Sequence, residues 1–496
     1  DGMSLRSPRT NLSVPASLAG TIEAVSGLDE SAALVQPEKA APPPPAFVNG
    51  TPCSTYWDQV DTSTPANGTS LPDIYGSPTP YAPCGYTPQQ IRGAYGVPSG
   101  LTGAGVTVAI VDAYASPTIL SDANTWSTNR GIAPFKANQF SQVVAPGTMN
   151  RPENKKQDPQ GWSGEETLDV EAVHGMAPDA KVVYVGAPNN YQDLDAALNH
   201  VVDGHLADIV TNSYGFGGEA LPTGFVKPFN DIFIQAAAEG IGVYFSSGDN
   251  GDETGGNPAN AATATPDWPA SSPWVTAVGG TSIGIDASNA DVLETGWESG
   301  TSTYKSSSNS WVPAPPGAYL YGSGGGTSRL FGQPSYQAGI VPTSMSQVYG
   351  GSAMRVVPDV SAIADPNTGY LIGQTQTFPD GSAKYSEYRI GGTSLASPIF
   401  AGLMADLQEH LGHDIGFANP WLYATYSATP TAFHDIQHVA NAGVVRSNFV
   451  NSVDATAGYA YIFRSFDFTT GLTIHTVAGY DDVTGLGSPN GVNFFK

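Results

Sequence analysis

The stretch VTVAIVD, from Val106 to Asp112, is a continuous run of apolar and β-branched residues closed by an acid. It has the length and composition of a strand buried on both faces. Similar runs follow at KVVYVGA (Lys181 to Ala187), ADIVTNSYG (Ala207 to Gly215), IGVYFSSGD (Ile241 to Asp249) and WVTAVGGT (Trp274 to Thr281). Between them, Tyr191 to Val202 and Val226 to Glu239 carry apolar residues at three- and four-residue spacing, which predicts helices. Buried strands alternating with helices predict an α/β fold: a doubly wound, mostly parallel sheet with helices on both faces. This pattern starts near Tyr86. Residues 283–330 and 440–475 have no clear periodicity and are expected to be insertions or irregular β structure on that core. Ahead of it, residues 1–35 suggest a short strand and helix, and PEKAAPPPP (Pro37 to Pro45) reads as a stiff extended linker.

Composition narrows the function. The 496 residues carry 44 acidic and 19 basic side chains, a formal charge of −25, so a nucleic-acid partner is not expected. Charged residues are only 13% of the chain against 58 Gly and 40 Pro, the composition of a loop-rich globular protein of secreted type. No apolar run reaches the ~20 residues of a membrane helix. The sequence opens at Asp1-Gly2 without a basic stretch and apolar core, so a secretory leader is expected to have been removed or to lie upstream. The only cysteines, Cys53 and Cys84, lack metal-ligand spacing and are read as one disulfide, which favours an extracellular location; the alternative is two free thiols.

Three places carry possible chemistry. In GGTSLASPIFAGLMADLQEHLG (Gly391 to Gly412), a Gly-Gly turn delivers Ser394 to the start of an apolar helix closed by Gly412. Pro398 lacks an N–H, so the carbonyl of Ser394, four residues back, loses its usual helical partner. Ser394 is either an ordinary helix-capping serine or a nucleophile. In SGEETLDVEAVHGMAPDAKVVYV (Ser163 to Val185), Ser163 and Glu166 have capping-box spacing, which predicts a helix from about Gly164. Glu165 and Asp169 then share one helix face, a like-charge pair that is unfavourable in water unless something compensates. They could simply complement the helix dipole. Beside a serine, however, two coupled carboxylates can share a proton and act as base at acidic pH, where an imidazole would already be protonated. In SSGDNG (Ser246 to Gly251), a strand ends in a Gly-Asp turn near the carboxyl ends of its neighbours. Asp249 either bonds to its own backbone or, protonated, donates to an oxyanion, in which case activity fails as pH rises.

Ordered along the chain with YTPQQIRGAYG (Tyr86 to Gly96), NSYG (Asn212 to Gly215), PASSPWVTAVGGTS, GSGGGTSRLFGQPSYQ (Gly322 to Gln337) and VPDVSAIADP (Val357 to Pro366), these motifs resemble the sedolisin family of serine-carboxyl peptidases, whose fold is subtilisin-like. The resemblance implies a secreted, acid-acting peptidase made as a zymogen. It also implies Ser394 as nucleophile, Glu165 as general base and acid, Asp169 as its partner, and Asp249 as the oxyanion-hole acid. Ser213, Tyr214 and Gly215 resemble the edge strand that pairs with bound peptide by β-augmentation. One Ca2+ is implied, held by the side chains of Asp435 and Asp481 and the carbonyls of Ile436, Val477 and Gly479, an oxygen set that suits the ion. Val477 stands where the family has glycine, and Asp482 adjoins Asp481.

Residues 1–35 resemble the end of the family's propeptide. Maturation is expected in the linker at 36–51, and the peptidase domain spans 52–496. The expected partners are polypeptide substrates and the chain's own propeptide, and the protein is expected to be a monomer. The rival within the fold is a subtilisin Asp-His-Ser triad of Asp112, His174 and Ser394. His174 lacks the His-Gly-Thr-His context of the subtilisins, so it is read as structural or surface, and Asp112 as a fold residue able to support the carboxylates. A non-catalytic peptide-binding protein and an acyl hydrolase of small esters remain as other classes.

Overall fold

A computed structural model describes residues 9, 13–18, 21–22, 36–37, 46–144, 159–190, 193–221, 223–468 and 470–496. Its centre is an eight-stranded sheet in the order Val360–Ile363, Thr276–Ile285, Gly242–Ser246, Ile209–Asn212, Thr107–Ala113, Lys181–Ala187, Phe140–Val144, with Asp291–Gly296 added alongside Thr276–Ile285. All pairings are parallel except that of Asp291–Gly296. The strands expected from apolar runs are thus present, with ends shifted by a few residues.

Alternation along Thr107–Ala113 builds the two faces. Val108 and Ile110 join a core with Leu168 and Val173 of the helix Pro159–Met176 and with Leu395 and Ile399 of the helix Thr393–Leu411. Ala109 and Val111 point the other way, to Leu194 and Leu198 of Asp193–Asp203 and to Phe229 and Phe233 of Thr223–Glu239. Each fully buried Val, Leu, Ile or Phe contributes about 1.5–3 kcal/mol, so a doubly covered sheet is the favoured arrangement.

Two expectations are corrected. The helix expected to begin near Gly164 with a Ser163–Glu166 capping box begins at Pro159. Glu166 is turned into the core, where its carboxylate accepts from the Ser116 amide at 2.5 Å and Gln142 Nε2 at 2.7 Å. Nor is the β structure of the segments 283–330 and 440–475 irregular. Glu298–Lys305 pairs antiparallel with Ser310–Val312, Ala318–Gly322 and Tyr459–Ser465, and the last pairs with Gly443–Phe449. This five-stranded sheet closes over its own small core of Trp311, Val445, Phe463 and Tyr81. The Cys53–Cys84 disulfide is formed in the segment packed against it. Most of residues 1–35 and the linker beyond Pro37 as far as 45 lie outside the described residues.

Candidate active site

Ser394 is the second residue of Thr393–Leu411, a helix that Gly412 closes in the left-handed conformation at φ 72°. The turn before it requires glycine: Gly392 has φ 112°, a region that side-chain-bearing residues avoid. The same helix lies flank to flank with Pro159–Met176 through Gly402, where a Cβ would come within 2.5 Å of Met176 Cβ. That close approach sets the carboxylate helix beside the serine helix.

Ser213, just beyond the end of Ile209–Asn212, joins them chemically. Its hydroxyl lies 2.9 Å from Asp169 Oδ1 and 3.2 Å from the backbone oxygen of Ser394. That oxygen is the carbonyl that Pro398 deprives of a helical N–H, so a side chain takes the place of the missing donor. Thr211 Oγ1 meets Ser397 Oγ at 2.8 Å and pins the next part of the helix to the same strand.

Glu165, Asp169 and Asp112 are all fully buried. Burial pushes Asp169 well above the ordinary carboxylate range, and the neighbouring charges of Asp112 and then Glu165 push it further, while the Ser213 hydroxyl opposes them. Asp169 therefore holds a proton far more readily than a solvated aspartate. Asp112, at the end of its strand, belongs electrostatically to this group, as expected of a fold residue that supports the carboxylates.

Asp249 follows the strand Gly242–Ser246 and reaches across to the serine helix. Its Oδ1 accepts from the Thr393 amide at 2.8 Å, and Thr393 Oγ1 lies at the same distance. Gly248 N donates to Thr393 Oγ1 at 3.1 Å, so the Asp249 turn and the start of the Ser394 helix are tied together at two points. A second acid pair backs this turn: Asp267 accepts from the Gly218 amide at 2.7 Å, interacts with Glu253, and is pushed well above its ordinary pKa chiefly by burial and then by the Glu253 charge.

His174 sits elsewhere. It is buried, stacked on Phe135 at 3.9 Å between ring centroids, and Nε2 lies 3.0 Å from the Ala133 carbonyl. Burial lowers its pKa to about 4. Of the two roles expected for it, the structural one holds and the surface one does not.

A model of the subtilase family matches residues 103–421. The chain belongs to that family. Within it the similarity is to the sedolisins. Kumamolisin of Bacillus sp. (strain MN-32) is 32% identical over 418 residues, covering 84% of this chain and 64% of its own length. Sedolisin of Pseudomonas sp. (strain 101) is 31% identical over 364 residues, covering 71% of this chain and 55% of its own length. The chain thus spans roughly half to two thirds of these relatives. The solved structure of Pseudomonas sedolisin, a serine-carboxyl proteinase complexed with two molecules of pseudo-iodotyrostatin, superposes with a TM-score of 0.60 at 28% identity over 82% of this chain and 95% of that one. The resemblance drawn from the motifs and the subtilisin-like fold it implied therefore stand.

The expected peptide-pairing edge has a partner of its own. Tyr214–Gly215 pairs antiparallel with Gln36–Pro37, in the register Gln36 to Gly215 and Pro37 to Tyr214. The edge therefore accepts an extended strand. The Tyr214 ring is buried and its hydroxyl bonds to Asn212, while Ser213 points inward to Asp169, so it is the main chain of this segment that faces a pairing strand.

Four of the residues expected at the metal site, Asp435, Val477, Gly479 and Asp481, are joined by hydrogen bonds in two pairs. Asp435 Oδ1 accepts from the Gly479 amide at 2.8 Å, and Asp481 Oδ2 from the Val477 amide at 3.2 Å, so the loop 477–481 folds between the two carboxylates. Asp481 is buried, and burial raises its pKa well above the ordinary value. A hard cation beside it would reverse that penalty, and the donor set is all oxygen, which fits Ca2+. The Val477 side chain is exposed and does not obstruct its carbonyl. Asp482 turns away to accept from the His475 amide at 2.9 Å, which separates it from Asp481.

Sequence reasoning missed Thr393 and the double role of Ser213. Thr393 adjoins the nucleophile in the Gly-Thr-Ser motif, which is the signal that could have found it. The inward turn of Ser213 has no local signal.

Proposed function

We propose that this chain is a secreted, acid-acting serine-carboxyl peptidase that cleaves polypeptides through an acyl-enzyme. The observation that carries the reading is the Ser213 hydroxyl, within hydrogen-bond reach of both Asp169 and the Ser394 backbone. It ties a buried carboxylate pair to the serine, whereas the imidazole of a subtilisin triad is engaged with Ala133 and Phe135.

In this reading Ser394 Oγ attacks the scissile carbonyl carbon and its proton passes to Glu165, which Asp169 orients and keeps basic enough by sharing a proton. The carbonyl oxygen becomes an oxyanion, received by protonated Asp249 and by backbone N–H groups. Collapse breaks the C–N bond, the amine leaves with the proton from Glu165, and water releases the acyl group by the reverse sequence. The substrate main chain pairs with Tyr214–Gly215.

Ca2+ would be held by Asp435, Asp481 and the carbonyls of Ile436, Val477 and Gly479, fastening the 477–481 loop to the Asp435 turn. Residues 1–35 act as the end of a propeptide. The pairing of Gln36–Pro37 with the substrate edge supports a maturation cut in 36–51, after which residues 52–496 form the mature peptidase.

The test is the pH dependence of hydrolysis of a denatured protein by the purified chain, with Ser394→Ala and His174→Ala in parallel. A maximum below about pH 5 with Ser394→Ala inactive is expected for a carboxylate base. Activity that rises through neutrality and disappears with His174 would overturn the proposal.

A further inference from the structure

Arginine is scarce in this acidic chain, yet three arginines from three strands meet behind the loop that leads to the nucleophile. Arg389 lies near the end of Ala383–Ile390, two residues before Gly391. Arg446 and Arg464 lie on the paired strands Gly443–Phe449 and Tyr459–Ser465, where Val444 opposes Arg464 and Ile462 opposes Arg446. That register sets the two arginines diagonally on one face of the sheet.

Arg389 is buried, 6% exposed, and donates from Nε to the Pro366 carbonyl at 2.6 Å and from Nη1 to that of Pro83. Arg446 donates from Nη1 to Asn367 Oδ1 at 3.1 Å. Arg446 also bonds to the Tyr321 hydroxyl, and beyond these bonds the cluster is short of acceptors. Nε of Arg446 and both Nε and Nη1 of Arg464 are shut off from solvent without a partner among the described residues.

The charges are unbalanced too. The carboxylate that acts on Arg389 and Arg446 is Asp365, whose oxygens already accept from Ser282 and from both nitrogens of Asn367. The Tyr321 ring lies under Arg464 at 6.0 Å. Burial first, and the Arg446 charge second, press Arg389 down to about 9. Inaccessible N–H groups without acceptors are rare in native proteins and call for an unseen partner. A water could accept those bonds but would leave the positive charges uncompensated, whereas an anion does both.

We propose that a small inorganic anion is bound among Arg389, Arg446 and Arg464, bridging the insertion sheet to the strand that feeds the Ser394 turn. Planar guanidinium forks suit either a halide or a tetrahedral oxyanion. The site is separate from the carboxylate network and from the oxygen-lined loop at Asp481.

The experiment uses the full chain carrying Ser394→Ala to prevent self-digestion, melted at constant ionic strength in sodium gluconate, chloride, sulfate or phosphate. Chloride, sulfate or phosphate is expected to raise the midpoint saturably by about 3 °C over gluconate, as ligand linkage requires. The anion that acts at the lowest concentration identifies the class. Arg464→Met, which keeps the apolar stem, is expected to abolish the response. One midpoint in all four salts, or an unchanged response in Arg464→Met, overturns the proposal. Should that variant not fold, bromide-soaked crystals of the Ser394→Ala chain decide: an anomalous peak among the three guanidinium groups supports the site, and water alone there overturns it.

Discussion

Replacing Asp249 by asparagine separates the role proposed for it from that of an ordinary turn acid. Two donors of Thr393, the amide and the hydroxyl, lie 2.8 Å from the same oxygen, Oδ1. The orientation of the carboxyl is therefore fixed, and in the proposed role Oδ2 is the oxygen that would carry the proton donated to the oxyanion. Asparagine keeps the accepting oxygen on the Thr393 side and puts an NH2 donor where Oδ2–H stood, without needing acid. Alanine removes the donor and leaves the Thr393 amide without its acceptor. Loss of one oxyanion donor costs about 2.7–4 kcal/mol of transition-state stabilisation, or about 100- to 1,000-fold in kcat.

The expectation is that Asp249→Ala falls by about that factor, while Asp249→Asn stays within about tenfold of the parent, since it retains a donor of the same reach. The asparagine variant is also expected to hold its activity to higher pH, because an amide does not lose its donor as a carboxylic acid does. The assay is kcat and KM on an internally quenched peptide across the acidic range, with folding verified by circular dichroism. If Asp249→Asn is as inactive as Asp249→Ala at every pH while both are folded, the carboxyl is not a hydrogen-bond donor in the transition state and the assignment fails.

Ser394→Ala and Glu165→Gln are expected to lower kcat by at least about 1,000-fold with the fold intact, since each removes one member of a unit; residual turnover near the parent level in either would exclude the mechanism. His174→Ala is expected to leave kcat of the folded enzyme unchanged but to destabilise it by about 2–4 kcal/mol, read from denaturant unfolding, because a stacked, hydrogen-bonded ring leaves the core. Stability should decline as pH rises from about 4 to 7. Burial raises Asp169, Glu171 and Asp267, so their contribution is complete below their unfolded values and is lost as pH rises through the folded ones. His174, lowered from 6.5 to about 4, works in the opposite sense, costing up to about 3 kcal/mol as pH falls across that interval, but it is one group against three. A thermal midpoint that is highest at neutral pH would contradict this balance. Chelation of Ca2+ is expected to lower the midpoint, by an amount equivalent to about 4 kcal/mol when the free ion had been at 1,000 times its Kd; Asp481→Ala should be insensitive to chelator.

The parts of the site legible in the sequence are those fixed by neighbours along the chain. Gly391-Gly392 before Ser394, Pro398 four residues after it, and the four-residue spacing of Glu165 and Asp169 each dictate local geometry whatever surrounds them. Which acids are buried is not local. Glu166 looked like half of a capping box because its spacing from Ser163 is correct, yet Ser116 and Gln142, brought from another helix approach and another strand, outcompete the cap. Ser213 could be placed on the edge segment, but its turn toward Asp169 depends on a helix more than forty residues earlier. The second sheet escaped notice for the same reason: Thr301 pairs with Arg464, and no window along the chain contains both.

The carboxylates give a physical reason for the acidic working range proposed for this site. On a solvated helix the Glu165–Asp169 repulsion would cost only a few tenths of a kcal/mol, but here both are buried beside Asp112, where charge is poorly screened. Three ionised acids in one dry interior would oppose folding, so the fold is secure when protons are shared among them. The same shared proton keeps Glu165 a usable base. In this reading the pH at which the chain is most stable and the pH at which it cleaves peptide are set by one group of side chains. Asp112→Asn removes a charge that raises Asp169, so it is expected to move the loss of activity with rising pH to a lower pH while lessening the loss of stability toward neutrality.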